Sequence, residues 1–295
     1  MPARSLRSLA GAARRRSRVA LAALCGRPSP SPSPTPSADD RPAGWWDLLP
    51  FTTHRIELAP DVWTADVGVV AHDDVRLDIV VEQAGGSLEG MTVVDLGCLE
   101  GGFTLVFAYR GAARSVGIEA REISVRRCGL ARDLLGDAEN VEFICGDIKD
   151  ELAVLGSFDV VFAAGILYHV GDPATLLASM RTACHAFALI DTHVAVEAQA
   201  THRCSPLVTV ELSGRTYRGR MFGEYAPGLD ASSREELLWA AWSDAAAFWP
   251  LEDELVRMIH DAGFTSVDKI ELAGTERADR WNVDQLNRVV YVARV

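Results

Sequence analysis

The sequence predicts an α/β fold in which a mostly parallel sheet is covered by helices on both faces. From Trp45 onward, short apolar runs rich in β-branched residues alternate with helical segments, which is the pattern of repeated βαβ units. The chain ends in two strand-like runs, 266–272 and 288–294, joined by a connection without a helix signal. Such a pair predicts an antiparallel hairpin at the end of the sheet.

The parallel strands are predicted from apolar runs that end at or near a glycine or a polar residue. A strand buried on both faces is expected to be almost continuously apolar, because helices cover both sides of a parallel sheet. In chain order these runs are 91–97, 115–119, 141–147, 158–165 and 185–194. Together with the terminal hairpin they predict seven strands.

Helices are predicted where apolar residues recur at helical spacing. The segment 73–85 begins with acidic residues, which the helix dipole favours, and 121–136 closes at Gly136, a common helix end. Further helices are expected over 101–110, 176–182 and 251–263.

The domain organisation is predicted from composition. Residues 1–42 are rich in Arg, Pro and Ser and are interpreted as a disordered extension, with an organelle transit peptide as the alternative. Residues 43–295 are interpreted as one domain. Within it, 195–250 breaks the βα alternation with strand-like runs at 208–213 and 215–222, and this segment is expected to cap the binding site.

Charge and cysteine usage exclude some classes of function. The chain carries 29 basic and 41 acidic side chains, and seven arginines lie in residues 1–27, which leaves 22 basic against 41 acidic, a net of −19, for residues 28–295. This acidity disfavours a nucleic-acid partner. No apolar run approaches the roughly 18 residues of a membrane span, so none is expected. Six scattered cysteines without close pairing predict free thiols and a cytoplasmic location. The oligomeric state is left open.

Small and acidic residues at successive strand ends predict a ligand site, because an open parallel sheet binds ligands at its carboxyl edge. A glycine-rich loop follows Asp95 and Gly97, and Glu119 ends the next strand, 22 residues after Gly97. A carboxylate there can accept both hydroxyls of a ribose. Asp147 at the third strand end could accept from an adenine amino group with Ile148 packed on the ring, or it could simply cap the following helix.

Two nucleoside cofactors fit this pattern to different degrees. A nicotinamide dinucleotide requires Gly-x-Gly-x-x-Gly, whereas the loop 97–102 reads GCLEGG and lacks the second glycine. S-adenosyl-L-methionine has no pyrophosphate, so a looser turn suffices, and acidic strand ends suit its cationic methionine part. The residues therefore favour S-adenosyl-L-methionine and leave a dehydrogenase as a distant alternative.

The chain resembles the class I S-adenosylmethionine-dependent methyltransferases. The resemblance is carried by an ordered set of motifs over 90–195, VVDLGCLEGGFTL, VGIEA, VEFICGDI and FDVVFAAGILYHVGDP, and by the last helix and hairpin over 251–295. It implies a Rossmann-like, mostly parallel seven-stranded sheet with an antiparallel C-terminal strand.

The resemblance also implies roles for particular residues. Asp95, Gly97 and Gly101 would line the methionine and ribose side, and Ala164 would offer a backbone carbonyl to the methionine amine. Glu119, Asp147 and Ile148 keep the ribose and adenine roles given above. The middle glycine usual in the first loop is Leu99 here, which leaves a displaced cofactor or a lost activity as alternatives.

Candidate catalytic and substrate residues follow the fourth and fifth strands. His169 and His193 are predicted general bases, with Asp191 orienting either of them, because imidazole titrates near neutral pH. Aromatic residues of the capping segment and the fourth strand end are expected to contact the acceptor, namely Tyr168, Tyr225 and Trp249. No metal site is predicted, and each of these residues could instead pack within the protein.

Three functional hypotheses result. The first is an S-adenosylmethionine-dependent methyltransferase acting on an oxygen or nitrogen of a small-molecule acceptor. The second keeps the fold but modifies the tRNA wobble uridine, because LYHVGDP over 167–173 resembles that group and Arg121, Arg126, Arg127 and Arg132 share one helix. The third is a non-catalytic module that binds S-adenosylmethionine.

Overall fold

The computed structural model describes most of the chain beyond the N-terminal region. The described ranges are 48–59, 61–136, 138–198, 203–272 and 287–295. The predicted extension 1–42 lies outside the described residues. Among the described residues, no helix combines the length and the apolar character that crossing a bilayer requires.

The described strands are numbered in chain order. They are β1 (Glu57–Ala59), β2 (Val62–Trp63), β3 (Thr92–Leu96), β4 (Arg114–Glu119), β5 (Val141–Cys145), β6 (Phe158–Ala164), β7 (Cys184–His193), β8 (Val208–Leu212), β9 (Arg215–Gly223), β10 (Ala246–Pro250), β11 (Ser266–Lys269) and β12 (Arg288–Arg294). The α-helices are α1 (Val75–Gln83), α2 (Gly102–Tyr109), α3 (Glu122–Leu135), α4 (Ile148–Val154), α5 (Pro173–Ala183), α6 (Ala231–Glu235) and α7 (Glu252–Asp261).

A seven-stranded sheet forms the centre of the molecule, in the order β11-β12-β7-β6-β3-β4-β5. The strands β3 to β7 run parallel, and β12 pairs antiparallel with both β7 and β11. The strand order reverses between β3 and β6, which is where an open α/β sheet forms its ligand crevice. The predicted fold class and the terminal hairpin are confirmed.

Alternation along the strands divides the core into two layers. Val94 and Leu96 of β3 face a cluster that includes residues of α4, α5 and α7, whereas Val93 faces a cluster built with α1 and α2. Because successive side chains of a strand point to opposite faces, one apolar strand supplies both layers. The two layers hold the sheet rigid, and its carboxyl edge is consequently a fixed platform.

The segment between β7 and α7 forms a second, three-stranded antiparallel sheet in the order β10-β9-β8. The strands β8 and β9 match the predicted runs 208–213 and 215–222. Strand β10 was not predicted, because its residues AAFWP carry no alternating pattern. The β1–β2 hairpin was missed for the same reason, since its strands span two or three residues.

Candidate functional site

A cavity of about 300 Å³ lies at the carboxyl edge of the central sheet. Its walls come from the ends of β3, β4, β5, β6 and β7 and the loops after them, and from two segments distant in sequence, around residue 54 and over 238–244. Val69, Phe103, Arg76 of α1 and Arg288 of β12 complete the lining. The cavity therefore lies at the reversal point of the strand order, where the sequence analysis expects the ligand.

The loop after β3 turns sharply into α2. Gly97, Leu99 and Gly101 all adopt left-handed backbone conformations, with φ of +71°, +50° and +77°. A Cβ at Gly97 would lie 2.9 Å from the Cδ1 of Ile166, and one at Gly101 would lie 2.6 Å from the Phe143 ring. Gly97 lines the cavity, whereas Gly101 supports the loop from behind. Leu99 takes the strained conformation that a glycine would adopt freely.

Glu119 is buried at the end of β4 and faces the same cavity. One of its carboxylate oxygens accepts from the Leu99 N–H at 3.2 Å, and the other accepts from the Arg121 N–H at 2.9 Å. Burial raises the pKa of this carboxyl group despite those hydrogen bonds. The structure thus brings the glycine loop and Glu119 into direct contact.

Asp95 lies beneath the loop and is almost completely buried. Its Oδ2 accepts from the Thr104 hydroxyl at 2.7 Å, and burial raises the pKa of Asp95 to about 7. It lines the cavity, so a cation bound there would favour its ionised form.

The predicted adenine residues follow β5. Asp147 lines the cavity, and it also accepts from the Lys149 N–H at 3.0 Å as the N-cap of α4. Ile148 is buried and lines the cavity beside it. Ala164, at the end of β6, pairs with Asp191 of β7, and the next residue, Gly165, reaches the cavity wall.

The predicted acceptor residues after β6 and β7 form an aromatic stack. The Tyr168 ring lies 4.3 Å from His169 and 4.4 Å from His193, measured between centroids. His193 stacks on Trp249 at 5.1 Å, and the Trp249 indole N–H donates to the Tyr168 carbonyl. Tyr168 and both histidines line the cavity, and Trp249 supports them from behind. Tyr225 is not a cavity-lining residue, and its hydroxyl donates to the Trp242 carbonyl.

Asp191 is held by arginines. It is completely buried, and its carboxylate accepts from Arg288 at 2.6 Å and from Arg76 at 3.2 Å. Its location favours a role in fixing these two arginines. The carboxylate found beside His169 is instead Glu224, whose Oε1 lies 3.0 Å from Nδ1. The sequence analysis missed Glu224 because it lies 55 residues away, at the end of a strand of the capping segment.

An N-terminal segment that the sequence analysis did not assign to the site crosses the glycine loop. The buried Glu100 carboxylate accepts the backbone N–H groups of Thr52, Thr53 and His54 at 2.8 to 3.0 Å. His54 in turn accepts the Gly102 N–H at Nδ1, and burial lowers its pKa to about 4. A neutral imidazole therefore caps the start of α2. No sequence pattern marks this contact, because it joins residues about 48 positions apart.

Residues 237–244, which we call the lid, cover the other side of the cavity. One guanidinium nitrogen of Arg121 donates to the carbonyls of Leu237 and Ala240, at 2.6 and 2.7 Å. Asp244 forms an ion pair with Lys149 at 2.7 Å. Trp239 is 64% exposed and lines the cavity from the lid. The segment predicted as a cap thus lines the cavity with residues 238–244.

The described residues contain no cluster of three or more His, Cys, Asp or Glu side chains able to hold a metal ion. Several carboxylates of the cavity wall instead accept hydrogen bonds from neighbouring groups, namely those of Asp95, Glu119 and Asp147.

Comparison with known proteins bears on this geometry. Residues 87–211 match a family described as "Methyltransferase domain". The chain is 35% identical over 128 residues to a tRNA U34 carboxymethyltransferase of Photobacterium profundum, and 29% identical over 136 residues to that of Shewanella halifaxensis. These matches cover 43% and 46% of this chain but only 36% and 38% of the relatives. The chain thus spans well under half the length of the curated relatives it matches.

Solved structures share the fold. The N-terminal domain of EvdMO1, solved in the presence of SAH and D-fucose, superposes with a TM-score of 0.62 at 23% identity, covering 85% of this chain and 93% of that one. An S-adenosylmethionine-dependent methyltransferase from Mesorhizobium loti superposes with a TM-score of 0.50 at 17% identity, covering 76% of this chain and all of the other. Residues 87–211 thus resemble a methyltransferase domain, and the seven-stranded sheet is the fold that this chain shares with S-adenosylmethionine-dependent methyltransferases.

Proposed function

We propose that this protein transfers a methyl group from S-adenosyl-L-methionine to an oxygen or nitrogen of a small-molecule acceptor. The observation that carries the proposal is the cavity wall shared by Gly97, Glu119 and His169, which joins a nucleoside-binding edge to a potential base. When bound, S-adenosylmethionine supplies a methyl group already activated by the sulfonium charge.

The residues of the cavity fit such a cofactor. Each carboxylate oxygen of Glu119 accepts one backbone N–H and retains further acceptor capacity for ribose hydroxyls. Asp95 offers an anionic or neutral oxygen to the methionine part. Thr53 is a cavity-lining residue, and its buried hydroxyl has no hydrogen-bond partner within the described residues. A buried polar group without a partner is costly, so a ligand that bonds to it would be stabilised.

The acceptor is assigned to the side of Tyr168, His169 and His193. Aromatic rings there would orient a small organic molecule, and the lid would exclude water from the transfer. Holding the acceptor in line with the methyl group accounts for much of the expected rate, because positioning alone can lower a barrier by several kcal/mol.

Calorimetry with S-adenosylhomocysteine and transfer of an isotopically labelled methyl group together test this proposal. We expect micromolar binding and labelled product when the protein is incubated with a small-metabolite extract. Glu119→Ala should weaken binding 30- to 150-fold and lower the yield of labelled product, whereas the exposed Glu122→Ala should change neither. Binding without transfer to any acceptor would support a non-catalytic binding module instead.

A second candidate is modification of the tRNA wobble uridine, supported by the identity to tRNA U34 carboxymethyltransferases. A carboxylated cofactor would need a cation near the transferred carbon. Each of the cationic side chains that line the cavity already faces a carboxylate: Arg76 and Arg288 face Asp191, Arg121 faces Glu119, and Lys149 faces Asp244. Because these cations are already paired, the cavity favours a cofactor that transfers an uncharged methyl group over a carboxylated one. Stronger binding of carboxy-S-adenosylmethionine than of S-adenosylmethionine would reverse the preference.

A further inference from the structure

The contact between His169 and Glu224 joins the two sheets of the molecule at the cavity. His169 follows β6 of the central sheet, and Glu224 follows β9 of the three-stranded sheet. The Glu224 side chain is 1% exposed, and its Oε1 lies 3.0 Å from Nδ1 of His169. A carboxylate accepts hydrogen bonds and does not donate them, so Nδ1 carries the proton that is shared with Glu224.

The same carboxylate holds the lid. The second oxygen of Glu224 accepts the N–H of Ala241 at 3.0 Å, and the Glu224 N–H donates to the carbonyl of Ala245. The orientation of the His169 ring and the position of the lid therefore depend on one buried side chain.

We propose that Glu224 is a positioning residue that keeps Nε2 of His169 unprotonated, and that the methyl acceptor is a hydroxyl compound. The inference rests on the proposed function and narrows its acceptor from oxygen or nitrogen to oxygen. It also replaces Asp191, which is bound to two arginines, as the carboxylate that orients the base.

A hydroxyl acceptor would benefit from the His169–Glu224 pair more than an amine would. A neutral amine attacks with its own lone pair and can lose its proton afterwards, so it gains little from a base in contact. A neutral hydroxyl is a weak nucleophile and benefits from proton removal during attack. A base held by a buried carboxylate is the arrangement that activates hydroxyl nucleophiles in unrelated enzymes.

The transfer step exchanges one positive charge for another. The acceptor O–H proton passes to Nε2 of His169, and the oxygen lone pair forms the new bond to the methyl carbon. The carbon–sulfur bond breaks and leaves its electron pair on sulfur, so the sulfonium charge is replaced by the imidazolium charge. Glu224 faces that imidazolium at Nδ1, and the proton then passes from the partly exposed imidazole to solvent.

Nitrogen-15 NMR of the histidine rings tests the positioning role without any acceptor. The spectra are recorded at pH 8.5 on the full chain with and without S-adenosylhomocysteine, and His169→Asn identifies the His169 signals. In the wild type we expect the proton on Nδ1. In Glu224→Gln, the amide can donate to Nδ1, so we expect the proton to move to Nε2. The exposed Glu197→Gln should leave the tautomer unchanged.

Kinetics and product analysis complete the experiment, with a ¹³C-methyl donor and a small-metabolite extract as acceptor. His169→Asn should lower the transfer rate about 10²- to 10⁴-fold, and Glu224→Gln should lower kcat with S-adenosylhomocysteine affinity changed less than about 3-fold. The methyl carbon shift should show an O-methyl product. An N-methyl product, a proton on Nε2 in the wild type, or an unchanged tautomer in Glu224→Gln would each overturn the inference. If the wild type binds S-adenosylhomocysteine but transfers no methyl group, the proposed function is refuted. The tautomer of His169 would then still show whether Glu224 positions its ring.

Discussion

The two halves of the cavity are built in different ways. The half that we propose to hold the cofactor, the cofactor half, is built at the ends of β3, β4 and β5, so Gly97, Glu119 and Asp147 reach the cavity by their position on the sheet alone. The half that we propose to hold the acceptor, the acceptor half, includes His169 and Trp239. Glu224 supports His169 by a long-range contact without lining the cavity. The sheet alone positions the cofactor half, whereas the acceptor half also depends on segments that pack against the sheet.

This difference predicts where a substitution acts. A change in the cofactor half should alter nucleoside binding and leave the lid in place, because its hydrogen bonds are local. A change at a long-range contact should loosen the lid or the N-terminal crossing segment and affect binding indirectly. Affinity and backbone hydrogen exchange measure these two effects separately.

The largest expected effect on ligand affinity comes from Glu119→Ala. It removes the carboxylate proposed to hold the ribose and leaves the N–H groups of Leu99 and Arg121 without their acceptor. Loss of hydrogen bonds to a charged group should weaken S-adenosylhomocysteine binding by about 2–3 kcal/mol, or 30- to 150-fold. Calorimetry measures the affinity, with Glu122→Ala as the control. An affinity within 3-fold of the wild type would show that Glu119 does not contact the ligand.

A pH-dependent stability is expected from Asp95, the second buried carboxyl group of the cofactor half. Burial raises its pKa to about 7, well above the value of about 3.9 in an unfolded chain. Between those values the folded protein holds more protons than the unfolded one, so the contribution of Asp95 to stability is lost as the pH rises from about 4 to about 7. The loss should be on the order of 2–4 kcal/mol.

Urea unfolding of the wild type and Asp95→Asn from pH 5 to 8 measures this contribution. His54 acts in the opposite direction, since burial lowers its pKa to about 4 and its contribution is lost as the pH falls below about 6.5. The difference between the two proteins isolates Asp95, because His54 is common to both. Equal pH slopes in the two proteins would contradict the raised pKa.

The difference between the two halves also explains which residues of the cavity could be predicted from the sequence. The positions of Gly97, Glu119 and Asp147 could be predicted because a strand's end fixes where the next residue lies on a parallel sheet. Glu224 could not be, since nothing near it in sequence indicates that β9 ends beside His169. His54 was missed for a related reason, because its place depends on three backbone N–H groups around the Glu100 carboxylate. Local patterns carry no information about such contacts.

Arg121→Ala tests the link between the halves and should have an intermediate effect. Its guanidinium donates to two lid carbonyls, while its backbone N–H donates to Glu119. The substitution keeps the backbone contact and removes the lid contacts, so we expect faster amide exchange over 237–244 and about 10-fold weaker S-adenosylhomocysteine binding. The exposed Arg126→Ala on the same helix is the control. Unchanged amide exchange over 237–244 would show that Arg121 does not hold the lid in place.

The smallest expected effect comes from Leu99→Gly, which restores the glycine usual in related loops. The left-handed conformation costs a leucine about 1 kcal/mol, which glycine would recover. Glycine also increases the entropy of the unfolded chain by a similar amount, and the contacts of the half-buried leucine are lost. The Leu99 N–H that donates to Glu119 is retained, so both the unfolding free energy and S-adenosylhomocysteine affinity should change by less than about 1 kcal/mol. A gain in affinity above 10-fold would mean that Leu99 displaces the ligand, and the non-catalytic hypothesis would then regain support.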